Sequence, residues 1–171
     1  QILGDYPAAG GGSVQPVFGS GSDVLVGDRA GDMRAWSVPD GRELWRRQWP
    51  AGFFAHPLGA RGREIRVVSA RGDLSGLSLH AVPERGGEPR LIGTLDGVRH
   101  FGLGESLFAY TQGDRLFVRA LDDWSRPRRV GDEWPADGQI DVSPDDRLVA
   151  ARNEQGEVRV WRTEDPRRPF R

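Results

Sequence analysis

Three histidines are the first candidates for chemistry, because an imidazole can act as a general base or as a metal ligand. They are His56, His80 and His100, and no two of them have the three-to-five-residue spacing common in histidine metal sites. The sequence also contains no Cys, which removes thiolate ligands and disulfides. We therefore predict no metal centre and no cofactor, and we interpret each histidine as a loop or strand-end residue with a hydrogen-bond partner.

Motifs for nucleophilic or phosphate chemistry are also incomplete. Gly19-Ser20-Gly21-Ser22 lacks the Gly-x-Ser-x-Gly order and the following helix of a nucleophile elbow. Gly10-Gly11-Gly12-Ser13 lacks the Gly-Lys-Ser/Thr ending of a phosphate-binding loop. The adjacent acids Asp122-Asp123 and Asp145-Asp146 are typical of turns, where neighbouring side chains point apart. The sequence therefore predicts a protein that is not an enzyme.

Charge is balanced, with 24 basic residues, all of them Arg, against 25 acids and a net charge of −1. Nucleic-acid-binding domains usually carry excess positive charge on one face. Here the basic residues form separate clusters at Arg46-Arg47, Arg61/Arg63/Arg66, Arg126/Arg128/Arg129 and Arg167-Arg168. Charged residues on edge strands also prevent sheets from pairing edge to edge. We interpret the clusters as solvated edge strands and do not predict a nucleic-acid partner.

No apolar stretch approaches the roughly 18 residues that a membrane-spanning helix needs. We therefore predict no membrane association, and together with the absence of Cys this favours a cytoplasmic location. The sequence starts at Gln1 and its single Met is Met33. We accordingly expect the chain to be a region of a longer protein or a cleavage product.

The elements that would position any site are clearest between Val142 and Trp161. This stretch contains a Ser-Pro-Asp-Asp turn, an apolar strand from Leu148 to Ala151, a polar turn ending in Gly156 and an alternating strand that ends in Trp161. Pro and Asp favour tight turns, and Gly allows a positive φ. Two short strands joined by such turns predict an antiparallel hairpin.

The same turn recurs along the chain. Its glycines are Gly31, Gly72, Gly113 and Gly156, at intervals of 41, 41 and 43 residues, and each lies between two apolar segments. A period of this length is the signature of a repeat protein made of four-stranded units. The units cover approximately residues 14–48, 53–95, 98–130 and 139–171.

The Val142–Trp161 hairpin resembles the central hairpin of a WD40 repeat. The repeats lack the Trp-Asp dipeptide of the family, because Ser37 follows Trp36 and Arg162 follows Trp161. They also lack its Gly-His pair, because no Gly precedes His100 in Arg99-His100. They are most similar to divergent bacterial WD40 repeats. The resemblance implies an all-β fold, with residues 1–171 forming about four blades of a β-propeller, each an antiparallel four-stranded sheet.

Four blades are fewer than the seven or eight that WD40 rings usually have. We expect this segment to be part of such a ring, completed by further blades of the same parent chain or by a second copy; a closed four-bladed ring is the third possibility. Gln1–Tyr6 resembles an outer strand, and in WD40 rings an N-terminal strand of this kind completes the last blade.

The resemblance also implies a function. WD40 propellers are non-catalytic scaffolds that bind proteins or peptides, and bacterial members often serve as the sensing or docking part of a larger signalling protein. The family binds partners through the loops between blades and the loops between second and third strands. Exposed aromatic and Arg residues often anchor protein interfaces. In these loops the candidates are Trp49, Phe53, Arg71, Arg99, Asp114 and Trp134. Packing between blades is the competing interpretation of the aromatic residues.

A second resemblance comes from Asp40-Gly41-Arg42-Glu43-Leu44-Trp45. It resembles the repeat of quinoprotein-type propellers, where the Trp of Gly-x-x-Leu-Trp docks between blades. This implies an alternative function, as a scaffold of that repeat type or a fragment of a quinone-dependent dehydrogenase. The motif occurs in one unit only, and the dehydrogenase would also need a calcium site and a vicinal Cys pair.

Overall fold

The computed structural model of the chain describes residues 16–21, 23–29, 32–51, 53–71, 76–131 and 138–166. Within these ranges the chain forms fifteen β-strands and no helix. Accordingly, none of this part of the chain provides a helix long and apolar enough to cross a membrane. The strands form four antiparallel sheets, which we call blades 1 to 4. The prediction of an all-β chain of antiparallel blades is confirmed.

Two compact units divide the chain, and the first, Gln1–Thr94, holds blades 1 and 2. In both blades the strands are hydrogen-bonded in chain order. Blade 1 contains β1 (Val17–Phe18), β2 (Val24–Arg29), β3 (Asp32–Ser37) and β4 (Glu43–Gln48). Blade 2 contains β5 (Phe53–Arg61), β6 (Glu64–Arg71), β7 (Gly76–Pro83) and β8 (Arg90–Asp96), the last of which extends two residues into the second unit.

The second unit, Leu95–Arg171, holds blades 3 and 4. Blade 3 contains β9 (Val98–Leu103), β10 (Leu107–Gln112), β11 (Arg115–Ala120) and β12 (Arg128–Val130). Blade 4 contains β13 (Ile140–Val142), β14 (Leu148–Arg152) and β15 (Val158–Arg162). The predicted outer strand of this last blade, Gln1–Tyr6, lies outside the described residues.

Alternating side chains build one apolar core in each unit, because successive residues of a strand point to opposite faces. Met33 and Ala35 on β3 are fully buried and pack with Ile65 and Val67 of β6, so that the core joins blades 1 and 2. The core of the second unit joins blades 3 and 4 and surrounds Trp161, which is 1% exposed. Burial of this surface is the main favourable term in folding.

The repeated turn glycines act as the sequence predicts wherever they are described. Gly113 and Gly156 have φ values of 62° and 83°, which only Gly adopts without strain. At the second turn, Asn153 accepts a hydrogen bond from the Glu157 amide on its Oδ1 atom at 2.8 Å. Gly31 and Gly72 lie outside the described residues.

A buried carboxylate joins the two blades of the first unit. Glu84, which follows β7 in blade 2, is 5% exposed. Its Oε1 atom accepts a hydrogen bond from the Ser20 amide of blade 1 at 2.5 Å, and its backbone oxygen accepts one from Trp45 Nε1 at 2.8 Å. A methyl group on Gly19 would lie 2.8 Å from the same Oε1 atom, so this approach depends on Gly.

The second unit has a similar arrangement. Asp146, in the turn before β14 of blade 4, accepts hydrogen bonds on Oδ2 from the amide and hydroxyl of Ser106 in blade 3, at 2.6 Å and 2.5 Å. Its φ of 60° is in the left-handed region that Asp tolerates. Its Oδ1 atom is buried against Gly104, and a methyl group there would overlap this atom and lie 2.6 Å from Val142 Cγ1.

We expect Gly104→Ala to lower the free energy of unfolding by about 2 kcal/mol, because the new methyl group would force Asp146 away from Ser106. Urea unfolding would measure the change. Gly59→Ala is the matched control, since a methyl group at Gly59 meets no atom within 4 Å. A Gly104→Ala protein as stable as the Gly59→Ala protein would contradict the close contact.

Candidate functional site

Two predicted interaction residues, Phe53 and Arg71, lie together at one end of blade 2. We call this end, where β5 begins and β6 ends, the blade 2 rim. Phe53 and Arg71 are direct partners across the β5–β6 ladder. The Arg71 guanidinium carbon lies 5.8 Å from the centre of the Phe53 ring, within the range of a cation–π contact. Arg71 is exposed and Phe53 half-buried, so the pair presents an aromatic face beside a positive charge.

Trp49, another predicted interaction residue, lies in the segment after β4 and contacts blade 2 at His80. It is half-buried and packs against the core of the first unit. Its ring lies 4.8 Å from the ring of His80, at an interplanar angle of 57°. Its indole Nε1 atom is buried and has no hydrogen-bond partner in the described part of the chain. Trp49 therefore packs against the core of the first unit and His80, and its role as a partner contact stays a prediction.

His80 and Ser69 form a polar pair beneath Trp49. The Ser69 hydroxyl and His80 Nε2 are 3.0 Å apart. Burial lowers the pKa of His80, which favours the neutral imidazole at neutral pH. A serine nucleophile needs access to its substrate, but Ser69 is only 3% exposed. The pair therefore links β6 and β7 within blade 2 and is poorly placed for covalent catalysis.

Sequence reasoning did not find this pair, since it treated His80 as an isolated histidine. Ser69 is opposite Ser78 in the β6–β7 ladder, and His80 lies two residues further along the same strand face. Only the register between β6 and β7 brings these two side chains together. The sequence indicates that register only through its polar–apolar alternation.

Arg99 and Asp114 lie at the corresponding end of blade 3, in the second unit. Both are exposed; Asp114 has 82% of its side chain in solvent and lies 3.8 Å from the Arg115 guanidinium. Beneath them, Thr111 accepts a hydrogen bond from the His100 amide at 3.1 Å. Blade 3 therefore presents mixed charge at this end. Trp134, the sixth predicted residue, lies outside the described residues.

Within the ranges that the structure describes, no group of three or more His, Asp or Glu side chains is arranged to hold a metal ion. The described surface at the blade 2 rim is suited to non-covalent contact, through one aromatic ring and one guanidinium held by paired strands.

We expect the stability of the protein to fall below about pH 6.5, the ordinary pKa of His, because the unfolded chain then binds a proton that folded His80 resists. Since the folded pKa is the lower one, the contribution is fully present above this pH and decreases as the pH falls. Urea unfolding of wild type and His80→Gln at about pH 7.5 and 5.5 measures it. An equal loss of unfolding free energy between the higher and the lower pH in the two proteins would contradict the burial effect. A pKa of His80 measured by NMR above the ordinary value would also contradict it.

The comparisons with known proteins identify the fold. No protein-family model matches the sequence, and no curated protein matches it significantly. Among solved structures, the chain is similar to the β-propeller domain of Cps50 (Swd1) from Myceliophteria thermophila, with 16% identity and a TM-score of 0.61 over 86% of this chain and 50% of that one. It is also similar to a putative TolB from Agrobacterium tumefaciens, with 18% identity and a TM-score of 0.58 over 87% of this chain and 57% of the other.

A third similar structure is Hsv2p from Kluyveromyces lactis, with 13% identity and a TM-score of 0.52 over 92% of this chain and 63% of that protein. The chain thus spans between half and about two thirds of the length of these structures. At such identities the similarity concerns the fold alone. Together with the four antiparallel sheets, it shows that this chain has the fold of β-propeller blades.

Proposed function

We propose that this chain is a non-catalytic protein-interaction module and the sensing or docking part of a larger signalling protein. The Phe53–Arg71 pair at the blade 2 rim carries the proposal. Aromatic residues and Arg are enriched among the residues that contribute most to protein interfaces. Both side chains extend from paired strands, so their backbone is already ordered before a partner binds.

The fold supports this proposal through its rigidity. Strands hold each rim residue in register with its neighbour, and variable loops on a rigid scaffold are a common location for binding residues. The chain covers 50% to 63% of the similar propeller structures. We therefore also propose that further blades, from the parent chain or a second copy, complete the ring.

A scaffold of the quinoprotein repeat type is the second candidate, because of Trp45. This Trp lies on β4, the outer strand of blade 1, and donates a hydrogen bond to the Glu84 backbone oxygen of blade 2. Docking of a Trp between blades is what the resemblance to that repeat implies. The observation concerns packing, so it favours a scaffold of this type and adds nothing in favour of a dehydrogenase.

Peptides selected from a displayed random library against the immobilised chain would test the interaction function. We expect Phe53→Leu combined with Arg71→Gln to weaken the selected peptides about tenfold, or about 1.4 kcal/mol, because the rim loses its ring and its charge. Isothermal titration calorimetry would measure the dissociation constants.

The matched control is Arg90→Gln combined with Leu91→Ala, on the outer strand of the same blade. Arg90 and Leu91 are also an Arg beside an exposed apolar residue, and Leu91 is 53% exposed. The control should bind the peptides as wild type does. Selected peptides that bind the rim variant unchanged, or that lose affinity only in the control, would contradict a partner site at the blade 2 rim.

A further inference from the structure

Blade 4 repeats, on one of its faces, an apolar pattern that blade 3 buries. The first rung is Leu107–Ala120 in the β10–β11 ladder and Leu148–Arg162 in the β14–β15 ladder. In blade 3 the residues that face blade 4 are buried in the core of the second unit, and they are Leu107, Ala109, Leu116 and Val118. Four apolar residues occupy the corresponding positions of blade 4, which we call its trailing face: Leu148, Ala150, Val158 and Val160.

The trailing face of blade 4 is partly in solvent. The residues that alternate with it, among them Val149 and Trp161, point into the core shared with blade 3, so the trailing face points away from that core. Val158 is 62% exposed, and the other three residues are half-buried. Blade 1 buries the equivalent residues against blade 2, and they are Val24, Val26, Met33 and Ala35. The pattern is therefore one that blades 1 and 3 bury against the next blade.

Blade 1 carries the other half of such a contact on its opposite face. Phe18, Leu25 and Trp36 are direct partners across β1, β2 and β3 and form a row, which we call the leading row of blade 1. It points away from the core shared with blade 2, since Val24, Val26 and Ala35 alternate with it. Phe18 is 57% exposed, and Leu25 and Trp36 are half-buried.

Blade 4 shows how a row of this kind is buried. Its corresponding row is Val142, Val149 and Trp161, which are direct partners across β13, β14 and β15. This row packs against the apolar face of blade 3, and Trp161 is only 1% exposed. The contact between blades 3 and 4 thus joins a row that ends in Trp to four apolar residues of the preceding blade.

We propose that two copies of this chain pair head to tail, with the leading row of blade 1 in one copy packed on the trailing face of blade 4 in the other. The chain carries both halves of the contact that joins blades 3 and 4, in the same strand positions. This is why we assign a second copy as the partner. The proposal rests on the completion of the ring proposed above, and two copies supply eight blades, within the range of propellers.

The exposed apolar side chains of the described residues support this pairing. Three large ones are exposed: Phe18 lies in the leading row, Val158 on the trailing face and Leu91 on β8. The two faces belong to different blades, so the contact is heterologous, and a closed pair forms it twice. Each pair therefore removes two Phe18 and two Val158 side chains from water, which favours association.

Light scattering of the full 171-residue chain at several concentrations tests the proposal. We expect a mass of twice 18.9 kDa. Phe18→Asp and Val158→Asp should each raise the dissociation constant of the pair at least about tenfold, because each places a charge in an apolar contact. Leu91→Asp is the matched control, since Leu91 is 53% exposed and lies on neither face, and it should leave the mass unchanged. Circular dichroism checks that each variant keeps its β-structure.

Mixing the Phe18→Asp and Val158→Asp chains gives the direction of pairing. A head-to-tail pair of one chain of each kind has both changes in one contact and neither in the other. The mixture should therefore form a dimer at concentrations where neither variant does so alone. A symmetric contact would instead leave one of the two variants as dimeric as wild type, and would overturn the proposal.

Three further results would also overturn it. They are a monomeric wild type, masses that keep growing with concentration, and an equal loss of the dimer in Leu91→Asp. None of these measurements uses a peptide. Their failure is therefore distinguishable from a failure of the blade 2 rim to bind one.

Discussion

A carboxylate bonded to a backbone amide of the neighbouring blade is the contact on which each unit depends. Apolar burial supplies most of the stability but has no direction, so the cores alone would allow one blade to slide against the other. Glu84 on the Ser20 amide and Asp146 on the Ser106 amide provide this direction. A hydrogen bond to a charged group contributes about 1.5–3 kcal/mol, and its loss would leave a charge without its partner. These contacts require Gly at positions 19 and 104, because a side chain at either position would occupy the space of the carboxylate.

The contact between Asp146 and the Ser106 amide also determines which side chains of the turn before β14 face solvent. Asp146 contacts blade 3, whereas its neighbours Asp145 and Arg147 line a polar pocket on blade 4 between this turn and the end of β15. The Asp146 backbone oxygen also accepts the Thr163 hydroxyl, which links the blade contact to the opposite wall of the pocket. The positive φ of Asp146 is therefore compensated by contacts on both sides of the turn. A change at this residue would disturb the pocket and the blade contact together.

Features with local causes were predictable from the sequence. Strand β14 (Leu148–Arg152) begins at the predicted Leu148, because the Ser-Pro-Asp-Asp turn before it fixes where the apolar strand starts. The Gly113 and Gly156 turns follow from the same local chemistry. Glu84 and Ser20 are 64 residues apart, and no local pattern marks an acid that will meet a particular amide. The Ser69–His80 contact depends on strand register in the same way. Phe53 and Arg71 could be predicted as rim residues but not as a pair.

Arginine is the only basic residue of this chain, so its abundance alone cannot indicate where anions bind. The contacts of each guanidinium are more informative. Arg34 and Arg46 bind Asp32 at 2.9 Å and 2.8 Å and belong to the internal bonding of blade 1.

Other arginines pack against rings, as Arg119 does over Tyr110 and Trp124, at 5.7 Å and 5.4 Å from the ring centres. The same residue type therefore stabilises the two units in different ways, by pairing with an acid in blade 1 and by packing over aromatic rings in blade 3. The sequence does not distinguish these roles, because both depend on which strand lies beside each Arg.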